Sequence, residues 1–340
     1  MKISIIKILS ALLLISLVLT SATPLYPVVV IKIGSIAPSR SPWDKALKDL
    51  GRQWEEISNG EVTIKIFPGG IAGTEQDMVR KMRIGLLNGA VLTNMGLTNV
   101  YPDIFALNIP LMITDIGELN YVMDKMRPFF EQEMEKKGFK LVLLTMAGWL
   151  HFFSKDPVNY PDDMKKHKLA FSTGEPEMEQ AWKKSGFHIV PTELKDMLIA
   201  LQSGMVNAFY LPAILAASGQ YFPFTPNMCS QRISPLVGGI IIPEQTWKKI
   251  PEKYTEKMLA ATKKLGNGLY DATVSLEKEA IDTMKTHGLK IVNPPADALG
   301  KWRETADKGM DQLIGKAFSK DIYDRIVNHL ATYRKNKPTK

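Results

Sequence analysis

Two hydrophobic periodicities alternate along the chain, and together they predict strands interleaved with helices. Apolar Val62, Ile64 and Ile66 alternate with polar residues, which is the pattern of a half-buried strand. The segment that starts at Pro42 carries apolar residues every three or four positions instead, which predicts a helix with one buried face: Trp43, Ala46, Leu47, Leu50, Trp54 and Ile57. Three more strands are predicted, at 31–36, 90–94 and 139–144. This order favours an α/β fold with helices on both faces of a sheet.

A second alternating unit begins near Trp149 and is followed by a long helical segment. Its strands are predicted at 168–172, 188–190 and 206–210, and its helices at 177–184 and 192–202. Residues 251–287 favour a single helix of roughly 37 residues, about 55 Å long if it is continuous. A helix of that length commonly bridges two lobes. Two final helices are predicted at 296–314 and 317–333.

The first 22 residues have the three parts of a secretory signal peptide. Lys2 and Lys7 supply a positive start, residues 8–19 form an apolar core, and residues 20–22 are small, as at a cleavage site. We therefore expect the chain to be exported and cleaved, with an uncleaved membrane anchor as the alternative.

Composition fits a two-domain exported protein without disulfides. The chain has 340 residues, of which 45% are hydrophobic, enough for one large or two medium cores. Its single cysteine, Cys229, cannot form an intramolecular disulfide, and we interpret it as a buried thiol. Export without disulfides favours a bacterial periplasmic location.

Charge and motif content exclude several classes of function. The formal net charge is +8, but the basic residues form no block interleaved with aromatic residues, so nucleic-acid binding is not expected. The five histidines have no metal-ligand spacing, and no nucleophile, base and oxyanion donor can be assembled. Glycines at 69–73 lack the rest of a phosphate-binding motif and predict a tight turn. We expect a protein that is not an enzyme and carries no cofactor or metal.

Aromatic and aliphatic residues cluster near predicted strand ends, where α/β proteins bind ligands. Residues 148–153 are predicted to follow a strand, residues 170–172 to lie on another, and residues 208–212 to end a third. A cleft lining is favoured for Trp149, Tyr210 and Leu211. For Phe153 and Phe171, a place in the core is an equally good interpretation.

Several segments of the mature chain resemble, in order, the solute-binding proteins of TRAP transporters: 36–45, 62–84, 108–112, 157–169, 200–212 and 241–251. The resemblance implies the two-lobed periplasmic solute-binding-protein fold with a long inter-lobe helix and a ligand cleft. The expected lobes are residues 25–148 with 236–270 and residues 149–235 with 271–333. It also implies a membrane permease as partner.

The sequence departs from this family where the family binds a substrate carboxylate. Ala170 stands at the position of the arginine that pairs with the carboxylate, and Leu211 stands at that of an asparagine. A second position that is often basic falls near Leu150. Alanine cannot replace a planar guanidinium, and an acid bound without a cation would be desolvated and unpaired. An apolar cleft favours a hydrophobic or amphipathic ligand, such as a fatty acid or another lipid.

This pattern is similar to a subgroup of the family that works with a periplasmic tetratricopeptide-repeat lipoprotein, and we expect such a partner. The predicted ligand-binding residues are Trp149, Leu150, Ala170, Phe171, Ser172, Phe209, Tyr210, Leu211, Thr93 and Asn94. One alternative is a conventional organic-acid receptor that uses Arg40, Arg83 or His151 as its base. The other is an interaction protein whose cleft is vestigial.

Overall fold

A computed structural model describes residues 28–37, 39–171 and 175–336. The predicted signal peptide, residues 1–22, and the predicted site residue Ser172 lie outside the described residues. Within the described ranges, no helix is both long enough and apolar enough to cross a bilayer.

Strands and helices alternate through the first part of the chain, as the hydrophobic pattern predicts. In chain order the elements are β1 (Val29–Ser35), α1 (Pro42–Ile57), β2 (Val62–Phe67), α2 (Glu75–Arg83), β3 (Gly89–Thr93), α3 (Asn94–Thr98), a 3-10 helix (Pro102–Asn108), α4 (Ile116–Lys136) and β4 (Phe139–Ser154). Helix α2 begins with a capping box, in which Thr74 and Asp77 satisfy each other's backbone N–H groups.

The second part continues the alternation with shorter elements. They are α5 (Pro161–Met164), β5 (Lys168–Phe171), α6 (Pro176–Lys184), β6 (His188–Pro191), a 3-10 helix (Leu194–Asp196), α7 (Met197–Gln202), β7 (Ala208–Leu211), α8 (Ala213–Ser218), β8 (Asn227–Cys229), β9 (Ser234–Pro243), α9 (Glu244–Trp247), α10 (Glu252–Thr286), β10 (Lys290–Val292), α11 (Ala298–Asp307), a 3-10 helix (Met310–Gln312) and α12 (Lys320–Asn336).

The strands of the described residues form one sheet with two halves that share β4. The order is β2-β1-β3-β9-β4-β7-β5-β6, with β8 paired to β4 and β10 paired to β8. Up to Leu150, β4 pairs with β9; from His151 to Ser154 it pairs with β7. We call β2, β1, β3 and β9 the first sheet half, and β7, β5, β6, β8 and β10 the second sheet half.

The prediction that residues 148–153 follow a strand is wrong, because β4 runs without interruption to Ser154. Its pairing with β9 shifts register between Leu141 and Leu143 and again between Met146 and Gly148. Gly148 has a φ of +146°, and a Cβ there would lie 3.0 Å from Glu277 Oε1 on α10. The same Oε1 accepts a hydrogen bond of 2.8 Å from the Trp149 backbone N–H. A bulge and a glycine therefore let one strand continue from one half of the sheet into the other.

The predicted long helix is present as α10, which has 35 residues and packs against both sheet halves. In the first half, its Tyr254, Met258 and Leu269 belong to the core that also buries Trp54 of α1. The Trp54 indole N–H donates to Thr262 Oγ1 of α10 at 3.2 Å. In the second half, its Met284 lies in the core beneath β7. Other predictions were incomplete: α4 and β9 were missed, and the predicted helix at 296–314 ends at Asp307.

Two glycines on α10 allow a test of how closely this helix packs on β4. A Cβ on buried Gly266 would lie 2.5 Å from Leu143 Cδ1, whereas exposed Gly268 has no atom within 4 Å of its Cβ position. We expect Gly266→Leu to lower the free energy of unfolding by about 1–3 kcal/mol through overpacking. The control, Gly268→Leu, should raise it by roughly 0.5–1 kcal/mol, because glycine is a poor helix former. Urea denaturation measures both, and equal effects would contradict the close packing.

Candidate functional site

A cavity of about 230 Å³ lies between the two sheet halves, where β3, β5 and β7 end. We call it the strand-end cavity. Most of its lining is apolar, and both halves contribute to it. The lining residues are Ile36, Glu75, Thr93, Asn94, Met95, Phe105, Asn108, Pro110, Leu150, Ala170, Glu175, Met178, Thr192, Leu194, Met197, Tyr210, Leu211, Pro212, Leu215, Ser234 and Leu236.

The structure brings together the three positions at which the sequence analysis expects a departure from the family. Leu150 lies on β4, Ala170 on β5 and Leu211 on β7, and all three line the strand-end cavity. Strands β4 and β7 pair next to the cavity, with His151 opposite Leu211. Because successive residues of a strand point to opposite faces, Leu150 and His151 cannot both face the same side.

The other predicted site residues divide into two groups. Thr93, Asn94 and Tyr210 also line the strand-end cavity, whereas Trp149, Phe171 and Phe209 do not. Trp149 is 2% exposed and lies under the Arg232 guanidinium, 4.9 Å from the ring centre. Phe171 packs against Tyr210 with a centroid separation of 5.6 Å, and Phe209 stacks on Phe153 at 4.9 Å. Trp149 and Phe171 belong to one core, and Phe209 belongs to another, which also contains Ala170.

Two carboxyl groups line the strand-end cavity, and the sequence analysis singled out neither. Glu75 at the start of α2 accepts hydrogen bonds from the Thr93 backbone N–H and from Thr93 Oγ1, the latter at 2.8 Å. Burial raises the pKa of Glu75, although these bonds act in the opposite direction. Its carboxylate therefore has a structural role, joining the start of α2 to the end of β3.

Glu175 is the second carboxyl group, and it stands just before α6. The side chains of Asn94 and Tyr210 lie beside its carboxyl group. Burial raises the pKa of Glu175 to about 7, and these two polar neighbours oppose the shift only in part. Burial and the neighbouring Glu175 also raise the pKa of the Tyr210 hydroxyl well above its ordinary value, so Tyr210 stays neutral and can donate. Asn94 directly follows β3 of the first sheet half and Glu175 follows β5 of the second, so the two side chains approach each other across the cavity.

The bases considered for an organic acid lie elsewhere. Arg40 and Arg83 are exposed and do not line the strand-end cavity; Arg83 donates to the Asn99 carbonyl at 3.0 Å. His151 is buried, and its Nδ1 lies 3.0 Å from the carbonyl oxygen of Cys229. Burial lowers the pKa of His151 to about 4, so it is neutral near pH 7. Cys229 is buried, as the sequence analysis expected.

Besides Glu75, sequence reasoning missed two polar residues of the strand-end cavity, Glu175 and Asn108, and one residue of a neighbouring cavity, Lys316. Glu175 follows a predicted strand and precedes a helix that starts at a proline, which is a position where ligand contacts are common. Asn108 opens the 108–112 segment that carries part of the family resemblance. Lys316 lines a neighbouring cavity of about 240 Å³, which shares Met95, Phe105 and Glu175 with the strand-end cavity. Its ammonium donates to Gln312 Oε1 at 2.9 Å.

A larger cavity of about 460 Å³ lies between α4 and α10 and contains none of the predicted site residues. It is lined by Asn120, Met123, Asp124, Arg127, Leu143, Leu144, Thr145, Met146, Lys263, Gly266, Asn267, Tyr270 and Asp271. We place the candidate site in the smaller cavity because strand ends at the junction of two lobes are where α/β proteins bind ligands. In the described part of the chain, no group of three or more His, Cys, Asp or Glu residues could hold a metal ion.

Two sheet halves, a helix packed across both and an apolar cavity between them define a two-lobed ligand-binding receptor. A model of the family described as "Bacterial extracellular solute-binding protein, family 7" (DctP) matches residues 33–317, and the chain belongs to this family. It is a solute-binding component of the TRAP type, found outside the cytoplasm and working with membrane permease subunits, and it is not an enzyme.

Similar proteins agree with this assignment along most of the chain. The sialic acid-binding periplasmic protein SiaP of Vibrio cholerae is 23% identical over 319 residues, which cover 93% of this chain and 96% of SiaP. The 2,3-diketo-L-gulonate-binding periplasmic protein YiaO of Escherichia coli is 22% identical over 264 residues, covering 75% of this chain and 80% of YiaO.

Solved structures confirm the predicted fold, a two-lobed periplasmic solute-binding-protein fold with a long inter-lobe helix. One is a TRAP periplasmic solute binding protein from Desulfovibrio desulfuricans with bound sn-glycerol-3-phosphate. It superimposes with a TM-score of 0.81 at 19% identity, covering 91% of this chain and 99% of that one.

The raised pKa of Glu175 predicts a pH-dependent stability that Glu175→Gln should remove. The folded state binds the Glu175 proton more tightly than the unfolded state, where the pKa is near 4.5. Its contribution to stability is therefore fully present below that value and lost as the pH rises through about 7. From about pH 5 to about pH 8, the free energy of unfolding should fall more in the wild type than in the variant, by on the order of 1–3 kcal/mol. Urea denaturation across this range measures the difference, and parallel curves would contradict the prediction.

Proposed function

We propose that this receptor binds a hydrophobic or amphipathic ligand in the strand-end cavity. One observation carries the proposal: Leu150, Ala170 and Leu211 line the same cavity, and no Lys, Arg or His is among its lining residues in the described ranges. The three positions at which the family resemblance implies carboxylate-binding side chains therefore lie in one cavity, and all three are apolar.

Energetics favour an apolar ligand body over a small acid. A carboxylate moved into this cavity would lose water without gaining a cation, at a cost of several kcal/mol. The cavity already contains the carboxyl groups of Glu75 and Glu175, which add repulsion. Apolar surface buried against the leucines, methionines and prolines of the lining contributes about 25 cal/mol per Å².

The lobe boundaries, the partners and the processing of the chain complete the proposal. Lobe I consists of residues 25–148 with 236–270 and lobe II of residues 149–235 with 271–333; the division of the sheet at β4 supports these limits. The chain is delivered to the periplasm by a signal peptide cleaved after residue 22. There it passes its ligand to a TRAP permease, with a tetratricopeptide-repeat lipoprotein as a second partner.

Lys316 favours a second candidate function, the binding of an organic acid. It lies in the cavity next to the strand-end cavity, and Glu175 lines both. A long acid could place its carboxylate at Lys316 and its body in the strand-end cavity. The names of similar proteins point to acids as well, since SiaP is called sialic acid-binding and YiaO 2,3-diketo-L-gulonate-binding.

Identification of the molecule that co-purifies with the mature protein separates these functions. We expect native mass spectrometry, followed by solvent extraction, to find an apolar molecule at one copy per chain. A sugar acid or dicarboxylate at that stoichiometry would overturn the proposal in favour of the organic-acid receptor. A protein that carries no ligand and binds neither acids nor lipids, but associates stably with a periplasmic protein, would favour the alternative of an interaction protein whose cleft is vestigial.

Ala170→Arg should weaken the binding of a neutral apolar probe such as 1-octanol by at least about tenfold. The guanidinium would fill the space beside Leu211 and bring an unpaired charge into the cavity. Isothermal titration calorimetry measures the affinity, and circular dichroism checks that the variant is folded. Unchanged affinity in a folded variant would contradict the assignment of Ala170 to the ligand site.

Leu211→Asn is the milder companion variant, because the two side chains have similar size. It replaces apolar lining with an amide, and we expect a loss of octanol affinity smaller than that of Ala170→Arg. Val274→Asn on α10 is the matched control, since Val274 is 43% exposed and does not line the strand-end cavity. Equal effects at positions 211 and 274 would contradict the proposed location.

A further inference from the structure

Two polar side chains in the lining of the strand-end cavity carry hydrogen-bond acceptors without a partner. Asn94 is 3% exposed and Asn108 is 5% exposed, and the Oδ1 atom of each is buried with no hydrogen-bond partner among the described residues. A buried acceptor without a donor costs about 1–3 kcal/mol, so such atoms are uncommon unless a ligand or water completes them.

The orientation of both amides is fixed by their nitrogen atoms. Asn108 Nδ2 donates to the Pro235 carbonyl oxygen at 2.5 Å. The Asn94 side chain lies beside the Glu175 carboxyl group, towards which the amide nitrogen is the favourable end to point. The oxygen is therefore the unpaired end in both residues, and a flipped amide would bring two oxygens together.

Glu175 adds a third acceptor to these two oxygens. A carboxylate offers about four lone-pair positions, and the neighbouring Asn94 and Tyr210 can use at most two of them through one donor each. Glu75 differs, because Thr93 already occupies it and joins it to the end of β3. Two unpaired amide oxygens and a carboxylate with spare capacity therefore border a cavity whose described lining holds no cation.

From this arrangement we infer that the ligand is an amphipathic molecule whose polar end donates hydrogen bonds, an amine or a hydroxyl rather than a carboxylate. The inference rests on the proposed function and narrows its ligand class. The polar end lies against Glu175, Asn94 and Asn108, and the apolar body lies against Leu150, Ala170 and Leu211. A protonated amine supplies three N–H donors for these acceptors and pairs with the carboxylate, whereas a fatty-acid carboxylate supplies no donor.

Three probes with one chain length test this inference on the mature protein: n-octylamine, 1-octanol and octanoate. Isothermal titration calorimetry should find the amine tightest, the alcohol next and octanoate at least about tenfold weaker than the amine. The positive net charge of the chain favours octanoate in any nonspecific binding, so it works against the expected order. Octanoate binding as tightly as the amine would overturn the inference while leaving the apolar cavity intact. Failure of all three probes to bind would overturn the proposed function as well.

Charge-removing variants locate the polar end. Glu175→Gln keeps the shape of the side chain, and we expect it to weaken octylamine binding by about tenfold to a hundredfold and 1-octanol binding much less. Glu179→Gln is the matched control, because Glu179 lies four residues further along in α6, pairs with Lys183 and does not line the cavity. An equal loss of amine affinity in both variants would reveal a general charge effect and overturn the assignment to Glu175.

A third variant separates the two candidate positions for the polar end. Lys316→Met removes the cation of the neighbouring cavity and should leave octylamine and 1-octanol affinities unchanged. The inference would be overturned if octanoate were the tightest probe of the wild type and Lys316→Met lowered its affinity severalfold. That result would place an acid head group at Lys316.

Discussion

The continuity of β4 is the constraint on which the rest of the structure depends. Ten residues of β9 and the four residues of β7 hydrogen-bond to successive parts of this one strand. At this point the two lobes are therefore connected by a paired strand and not by flexible linkers, because β4 belongs to both halves of the sheet. Gly148 permits the bend, and the Glu277 carboxyl group of α10 holds the following N–H in place. The cavity lies where this bend separates the two halves.

The proposed ligand implies that a family scaffold can change its ligand class without changing its fold. In that proposal, apolar side chains on β5 and β7 stand where the family resemblance places the carboxylate-binding side chains. The packing of the sheet does not depend on them alone, because Phe171 and Phe209 fill separate cores beside these strands. A carboxyl group in such apolar surroundings must be protonated, hydrogen-bonded or paired with the cationic group of a ligand. Glu75 is hydrogen-bonded to Thr93, whereas Glu175 keeps part of its hydrogen-bonding capacity unused.

The sequence predicted the fold better than it predicted the site, for a physical reason. Helix α10 was predictable because no proline interrupts residues 252–286 and its apolar residues keep the helical period. The extent of β4 was not, because Ala147 and Gly148 interrupt the apolar run in a way that looks like a strand end. Leu150, Ala170 and Leu211 could be placed near one another through the family resemblance. Glu175 could not, because the burial that raises its pKa depends on a cavity lined by residues distant in sequence, such as Asn94 and Tyr210.

The approach of Asn94 to Glu175 has a consequence for how a ligand leaves. The two polar side chains lie beside each other across the cavity, so the protein has a polar contact of its own between the two halves. A molecule that takes over the Glu175 carboxylate exchanges one closing contact for another, and only the difference between them strengthens closure. Such a receptor binds its ligand with modest affinity and re-forms its internal contact when the ligand dissociates. This behaviour suits a binding protein that transfers its ligand to another protein.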